Sequence, residues 1–212
     1  MTGLRDRKKQ ATREALRTAA LRLALEHGPE NVRVEDIAAA AGVSPRTYNN
    51  YFSSREQAIV AAVTGERESR VAEQVAARPP EVRLADAVTD AVVAQYTDPG
   101  ERHRDALLLL TTRPVLRAAF LRAAGDLERP LAAAISGRLG ADEQIGRVLA
   151  AAVAAAVRVA LETWLRPASG ALGAAGVVVV TRSLPDLLRE ALATLAPALD
   201  AAERDSRGDA RG

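Results

Sequence analysis

The stretch Val34-Glu35-Asp36-Ile37-Ala38-Ala39-Ala40-Ala41-Gly42-Val43-Ser44-Pro45-Arg46-Thr47-Tyr48-Asn49-Asn50-Tyr51-Phe52 decides the fold. Its spacing predicts two short helices joined by a tight turn. Ile37 and Ala41 lie i,i+4 apart and share one helix face. Ala38 is small enough to let a second helix cross close by. Gly42 follows the apolar stretch, where a left-handed backbone ends a helix at little steric cost. Val43 fills the corner. Ser44-Pro45 is a helix start: the Ser hydroxyl accepts from a free backbone N–H, and Pro fits the first helical position. Tyr48 and Phe52, again i,i+4, anchor the second helix inward. Arg46, Thr47, Asn49, Asn50 and Tyr51 are left for the outer face. This is the helix-turn-helix pattern, whose second helix enters the DNA major groove. Arg pairs with guanine and Asn with adenine, while Thr and Tyr suit phosphates or a thymine methyl. The plainer alternative is a helical corner with a solvated polar face. It does not explain why the small residues, Ser44-Pro45 and both aromatics fall in register.

The flanks extend the pattern. Residues 5–25 carry Arg5, Arg7, Lys8, Lys9, Arg13, Arg17 and Arg22 against only Asp6 and Glu14, in a chain whose net charge is +2. Positive charge is therefore concentrated at the start, as a phosphate-binding surface requires. From about Lys9 the residues Leu16, Ala19, Ala20, Leu23 and Ala24 form a helical stripe, which Gly28-Pro29 stops. Beyond the motif, Ser53 and Glu56 have capping-box spacing. Ile59, Ala62 and Val63 continue an apolar face on a helix running to about Arg78, ended by Pro79-Pro80.

A basic leader, two reading helices and a long connecting helix resemble the TetR family of transcriptional regulators. The resemblance covers roughly residues 9–60 and rests on Ile37-Ala38, Gly42-Val43-Ser44, Thr47, Tyr51-Phe52 and Arg55-Glu56. Ser44-Pro45-Arg46-Thr47 followed by Asn50-Tyr51-Phe52 is similar to a subgroup common in high-GC actinobacteria. The resemblance implies an operator-binding surface of Lys8, Lys9, Arg33, Ser44, Pro45, Arg46, Thr47, Asn49, Asn50, Tyr51 and Arg55. Three of these depart from the family. Arg33 stands where a capping hydroxyl is usual, Asn49 where an aromatic is usual, and Arg55 where Lys is common.

At 212 residues and 48% hydrophobic content the chain is long and apolar enough for one or two cored domains. It has no cysteine, which excludes disulfides, a thiol nucleophile and Cys-based metal sites. The start lacks the apolar segment of a signal peptide. The longest apolar run, Val148–Val157, is too short to span a bilayer. A cytoplasmic chain with no metal and no cofactor is expected.

The expected fold is all-α, with about nine helices. Residues 1–55 form the DNA-binding domain, a helix over about 55–78 connects, residues 79–200 form an effector-binding and dimerisation domain, and 201–212 are a disordered tail. Helices are expected from Val82 to Tyr96, from Glu101 to Leu110, and from Arg113-Pro114 to Leu139 with Gly125 and Pro130 as bending points. Further helices are expected over Asp142–Leu165 and from Pro185 to Leu195 or Leu199. Val177–Val180 reads as an irregular connection or an extra turn. Asp142–Leu165 is apolar almost all round, so it must be covered on several sides. With Pro185–Leu195 it is expected to form a homodimer interface, with a purely intramolecular core as the alternative; the resemblance implies the dimer, and symmetric dimers suit paired half-sites.

The resemblance also implies a C-terminal pocket for a small effector whose binding lowers DNA affinity. It names no pocket residues here. From the residues themselves the candidates are Gln95, Tyr96, His103, Arg117, Phe120, Leu121, Arg158, Glu162 and Trp164, with core or surface positions as the alternative for each. Pro114-x-x-Arg117-Ala-x-Phe120-Leu121 and the later run ending in Trp164-Leu165 look like regulators that take fatty-acyl or other apolar ligands. A regulator or architectural protein without an effector is the second reading. An enzyme is a remote one: there are two His far apart, and no G-x-S-x-G, P-loop or H-E-x-x-H. Membrane binding by the basic first helix fails because its apolar face is mostly Ala.

Overall fold

The computed structural model describes residues 3–64, 67–97, 109–110, 112–166 and 182–209. Every regular element among them is helical, so the all-α expectation is met. The chain divides into two compact units, Met1–Gly65 with Gly100–Ala123, and Glu66–Pro99 with Ala124–Gly212.

The first unit contains α1 (Leu4–His27), a 3-10 turn (Pro29–Asn31), α2 (Val34–Ala40), α3 (Pro45–Asn49), α4 (Arg55–Thr64) and α7 (Pro114–Ala123). Its core joins Leu16, Ala20 and Ala24 of α1 to Ile37, Ala38, Tyr48, Phe52, Ala58, Ile59 and Val63. Helix α1 begins five residues before the expected Lys9. Its first turns are polar and exposed, so apolar periodicity could not register them. Gly28 ends it at φ 81°, with its N–H donated to the Ala24 carbonyl.

Helix α7 corrects the expected boundaries. The predicted single helix over 113–139 is instead α7, a 3-10 turn (Ala124–Leu127) and α8 (Glu128–Leu139), broken at Gly125. Residues 114–123 also group with the first unit, not with the 79–200 domain. The cause is packing: α7 lies on α4 and buries Leu116 and Phe120.

The second unit contains α5 (Arg67–Ala77), α6 (Leu84–Thr97), α8, α9 (Glu143–Trp164), α10 (Leu184–Ala193) and α11 (Ala196–Asp209). Helices α8 and α9 form a tight hairpin. Gly140 closes α8 at φ 60°, and Asp142 caps α9 by accepting the Gln144 N–H at 2.7 Å. Helix α9 buries Ala150, Val153, Ala154, Val157, Ala160 and Leu161 against its neighbours. Helix α9 has 22 residues, and an 18-residue window within it reaches a mean hydropathy of 1.6, long and apolar enough by length and composition alone to cross a membrane. Only 39% of that apolar stretch is covered by the rest of the chain.

The C-terminus differs most from expectation. Residues 201–209, expected in a disordered tail, continue α11. Glu203 is 8% exposed and accepts the Leu84 N–H at 3.2 Å, capping α6 from a distant part of the chain. Arg138, 4.0 Å from Glu203, donates to the carbonyls of Arg78 (2.9 Å), Pro79 (3.2 Å) and Val82. Ser206 donates to the Leu139 carbonyl, and Asp200 pairs with Arg83 at 3.4 Å. A charged segment reads as solvated in isolation; here its charges satisfy helix ends. The expected helix over 101–110, apart from 109–110, and the Val177–Val180 stretch lie outside the described residues.

Candidate nucleic-acid interface

The turn between α2 and α3 is built by its own hydrogen bonds. Gly42 adopts φ 69°, and its N–H reaches the Ala39 carbonyl at 3.0 Å. The Val43 N–H reaches the Ala38 carbonyl at 2.9 Å. Ser44 caps α3: its hydroxyl accepts the Thr47 N–H at 3.1 Å and lies 2.9 Å from the Thr47 hydroxyl. Pro45 occupies the first turn.

Two aromatics pin α3 from below. Tyr48 and Phe52 are buried, with ring centroids 5.8 Å apart and planes tilted by 46°. Tyr48 donates its hydroxyl to the Ser54 carbonyl at 2.8 Å. With this side anchored, Arg46, Asn49 and Asn50 stand exposed on the other, and Thr47 and Tyr51 are beside them, Tyr51 half-buried. Lys8 and Lys9 are exposed near the start of α1.

Burial, aided by the Glu56 carboxylate, pushes the Tyr48 phenol from its ordinary 10.0 up to about 12. A phenol that ionises later when folded contributes stability that is whole below pH 10 and lost as pH rises through 12. Between pH 9 and 11 the native chain should lose about 1 kcal/mol more stability than Y48F. Urea melts at the two pH values measure this; equal losses would refute the assignment.

The cap of α4 differs from the expected Ser53–Glu56 box. Ser54 caps the helix, its hydroxyl accepting the Gln57 N–H at 3.2 Å, while the Gln57 side chain accepts from the Ser53 N–H at 2.7 Å. The spacing rule holds, but the frame lies one residue later. Glu56 is thereby released to pair with Arg55 at 2.8 Å. Burial alone would raise the Glu56 carboxyl, but hydrogen bonds from Arg55, its own backbone and Ser54 hold it below the usual carboxylate range.

Arg55 has contacts that the sequence does not announce. Its guanidinium donates to Glu56 and to the carbonyls of Glu30 (3.0 Å) and Val32 (2.8 Å). It ties α4 to the α1–α2 connection. Arg33 is exposed at the start of α2, where its N–H is donated to the Asp36 carboxylate at 3.3 Å. A guanidinium has no acceptor and so cannot supply the other half of a capping box. One contributor does not stand out in the sequence: the Arg13 guanidinium lies 5.7 Å over the Phe52 ring, joining the basic face of α1 to the end of the reading segment.

The effector candidates fall in both units. Arg117, Phe120 and Leu121 are on α7 in the first unit, and Phe120 is a core residue. Gln95, Tyr96, Arg158, Glu162 and Trp164 belong to the second unit. Gln95 accepts from Arg70 at 2.8 Å, and Tyr96 lies 4.1 Å beneath the Arg67 guanidinium. Burial raises the Tyr96 phenol against the opposing charge of Arg67. Arg158 and Glu162 form a surface ion pair at 2.6 Å along α9. Trp164 is half-buried at the end of that helix. His103 lies outside the described residues. A cleft of about 360 Å³ in the second unit is lined by Asp142, Gln144, Ile145, Val148 and Leu149, none of them a candidate. Among the described residues no cluster of acidic or His side chains is suited to a metal.

The sequence profile of bacterial regulatory proteins of the tetR family matches residues 16–62, and the MftR C-terminal domain profile matches residues 78–200. The HTH-type transcriptional regulator TcmR of Streptomyces glaucescens is 33% identical over 149 residues, which cover 66% of this chain and 66% of TcmR. The HTH-type transcriptional regulator BetI of Rhizobium meliloti is 38% identical over 77 residues, 34% of this chain and 38% of BetI. The matched region thus spans less than two thirds of each of these relatives. Among solved structures, Thermus thermophilus FadR, a TetR-family repressor in complex with lauroyl-CoA, is similar at a TM-score of 0.47 and 23% identity, covering 87% of this chain and 93% of that one.

Proposed function

The chain belongs to the TetR family of bacterial regulatory proteins, and we propose that it is a homodimeric, sequence-specific DNA-binding transcriptional repressor released by a small apolar effector. The observation that carries the reading is the capped α3, anchored by Tyr48 and Phe52, with Arg46, Asn49 and Asn50 exposed opposite. An arginine and an asparagine on one short helix, with a second asparagine at its C-cap, supply the bidentate donors and acceptors that base edges require. Its site of action is the cytoplasm, where its DNA lies.

Arg46 and Asn50 are assigned to base edges. Thr47, Tyr51 and the basic face of α1 hold phosphates, and Arg33 reaches the backbone beside them. Arg55 is reassigned from phosphate to support of the reading helices. Two copies present their α3 helices to successive major grooves. The dimer contact rests on α9, whose apolar side is uncovered. The α10 leucines Leu187, Leu188 and Leu192 are already buried within the chain, so α10 has less apolar surface to offer a partner. An apolar effector suits the Ala, Val and Leu interior of the second unit. It acts only through differential affinity for the DNA-competent and DNA-incompetent states.

Footprinting on DNA flanking the chain's own gene tests the reading. Protection of two half-sites about one helical turn apart is expected. Arg46→Ala should cost roughly 1–3 kcal/mol and relax preference at one base position of each half-site. Unchanged selectivity in that variant refutes the base assignment.

A further inference from the structure

The chain carries 29 lysine and arginine side chains, and only Lys8 and Lys9 are lysines. Both are exposed near the start of α1. The helix is formed at this point, since the Lys8 carbonyl accepts from the Thr12 hydroxyl at 3.0 Å. Lys9 and Arg13 are i,i+4 and share a face. Arg13 stacks on Phe52, which directly follows Asn50-Tyr51. Lys9 therefore stands about one turn, roughly 6 Å along the axis, beyond the contact between α1 and the reading segment. Lys8 is beside it.

The two cation types differ in chemistry. A lysine ε-amine, once deprotonated, attacks an acyl carbon; a guanidinium stays protonated and does not. Apart from two histidines, every other basic side chain in the protein is arginine. Side-chain amine chemistry is thus confined to two adjacent residues on the basic face that meets DNA.

We propose that Lys8 and Lys9 are an acylation site through which an acyl phosphate or acyl thioester donor lowers DNA affinity. The inference rests on the DNA-binding reading above. The ammonium first gives up a proton, and the amine attacks the donor carbonyl. An amide bond forms while the acyl–oxygen or acyl–sulfur bond breaks, and phosphate or thiolate leaves with the electron pair. No oxidant or reductant takes part. Each amide formed removes one positive charge from the phosphate-facing side.

The test treats the full chain with acetyl phosphate in one arm and acetyl-CoA in the other. Peptide mass mapping then locates the acetyl groups. Affinity is measured for a labelled random-sequence duplex between about 50 and 200 mM salt, because phosphate binding needs no operator. Acetylation of Lys8 and Lys9 is expected in at least one arm, and the arm identifies the donor class. Affinity should fall about fivefold or more, with the salt slope flattened by about 0.9 for each phosphate no longer neutralised. The ratio of treated to untreated affinity should stay at one in K8R/K9R, whatever that variant's own affinity. The proposal is overturned if the acetylated chain keeps its affinity and slope, if neither donor modifies these lysines, or if K8R/K9R loses as much through its amino terminus. If the untreated chain binds no duplex at any salt, the DNA-binding reading itself fails and this proposal with it.

Discussion

Val148→Glu combined with Val159→Glu is expected to turn the protein into a monomer and to weaken operator binding about 100-fold or more. The large apolar side chains exposed among the described residues are Leu25, Val115, Ile145, Val148 and Val159. Ile145, Val148 and Val159 lie on α9, at 44%, 62% and 50% exposure. Ile145, Val148, Ala152, Ala155 and Val159 follow each other at spacings of three and four, so they lie along one side of the helix. A self-complementary contact counts each substitution twice. Burying a Val contributes about 1.5–3 kcal/mol, and placing an unpaired carboxylate there costs several more. A monomer also loses the tethering of its second reading helix, an effect on the order of 10²–10⁴ in affinity. Light scattering and operator titration measure the two effects together. A variant that stays dimeric would move the interface off α9.

Gly146→Ala is expected to destabilise the second unit by about 2 kcal/mol, although Ala is the better helix former by about 1 kcal/mol. A Cβ at residue 146 would run into the Ser136 hydroxyl and lie 2.7 Å from the Ala132 carbonyl oxygen. A hydroxyl can rotate, but a backbone carbonyl inside α8 cannot yield without moving the helix. Overpacking of this kind costs about 1–3 kcal/mol or more and exceeds the gain in propensity. For a chain of this size the melting temperature should drop by about 4–8 °C. Gly146→Leu should do more, because a larger side chain drives α8 and α9 apart. A thermal melt that rises in Gly146→Ala would show that the two helices sit farther apart than the structure places them.

The reading helix is legible in the sequence because its signals are local. Gly42, Ser44-Pro45 and the Tyr48/Phe52 pair act within one turn of themselves, and each behaves as the spacing demands. The role of Arg55 is not legible there. Its guanidinium chooses carbonyls at residues 30 and 32, more than 20 positions away, and nothing beside it in sequence announces them. The cap of α4 misleads more narrowly: Ser53 and Ser54 offer the same chemistry, and only the backbone decides which faces the helix. The membership of α7 is hidden for another reason. Periodicity shows that Leu116 and Phe120 need a partner, but not that the partner is α4.

What the sequence by itself determined is the set of short-range decisions: where helices stop, which residue caps α3, which side of α3 is apolar, and where positive charge gathers. These depend on backbone conformation and on neighbours three or four residues apart, which the order of residues specifies directly. Only the tertiary structure decided that α7 joins the first unit, that Arg55 is a strut, that Gly146 admits α8, and that 201–209 fold back to cap α6. Those outcomes depend on which surfaces and unpaired backbone groups meet after the chain has closed loops of dozens to more than a hundred residues. A Glu at residue 203 reads as solvated until the N–H of Leu84 is brought to it.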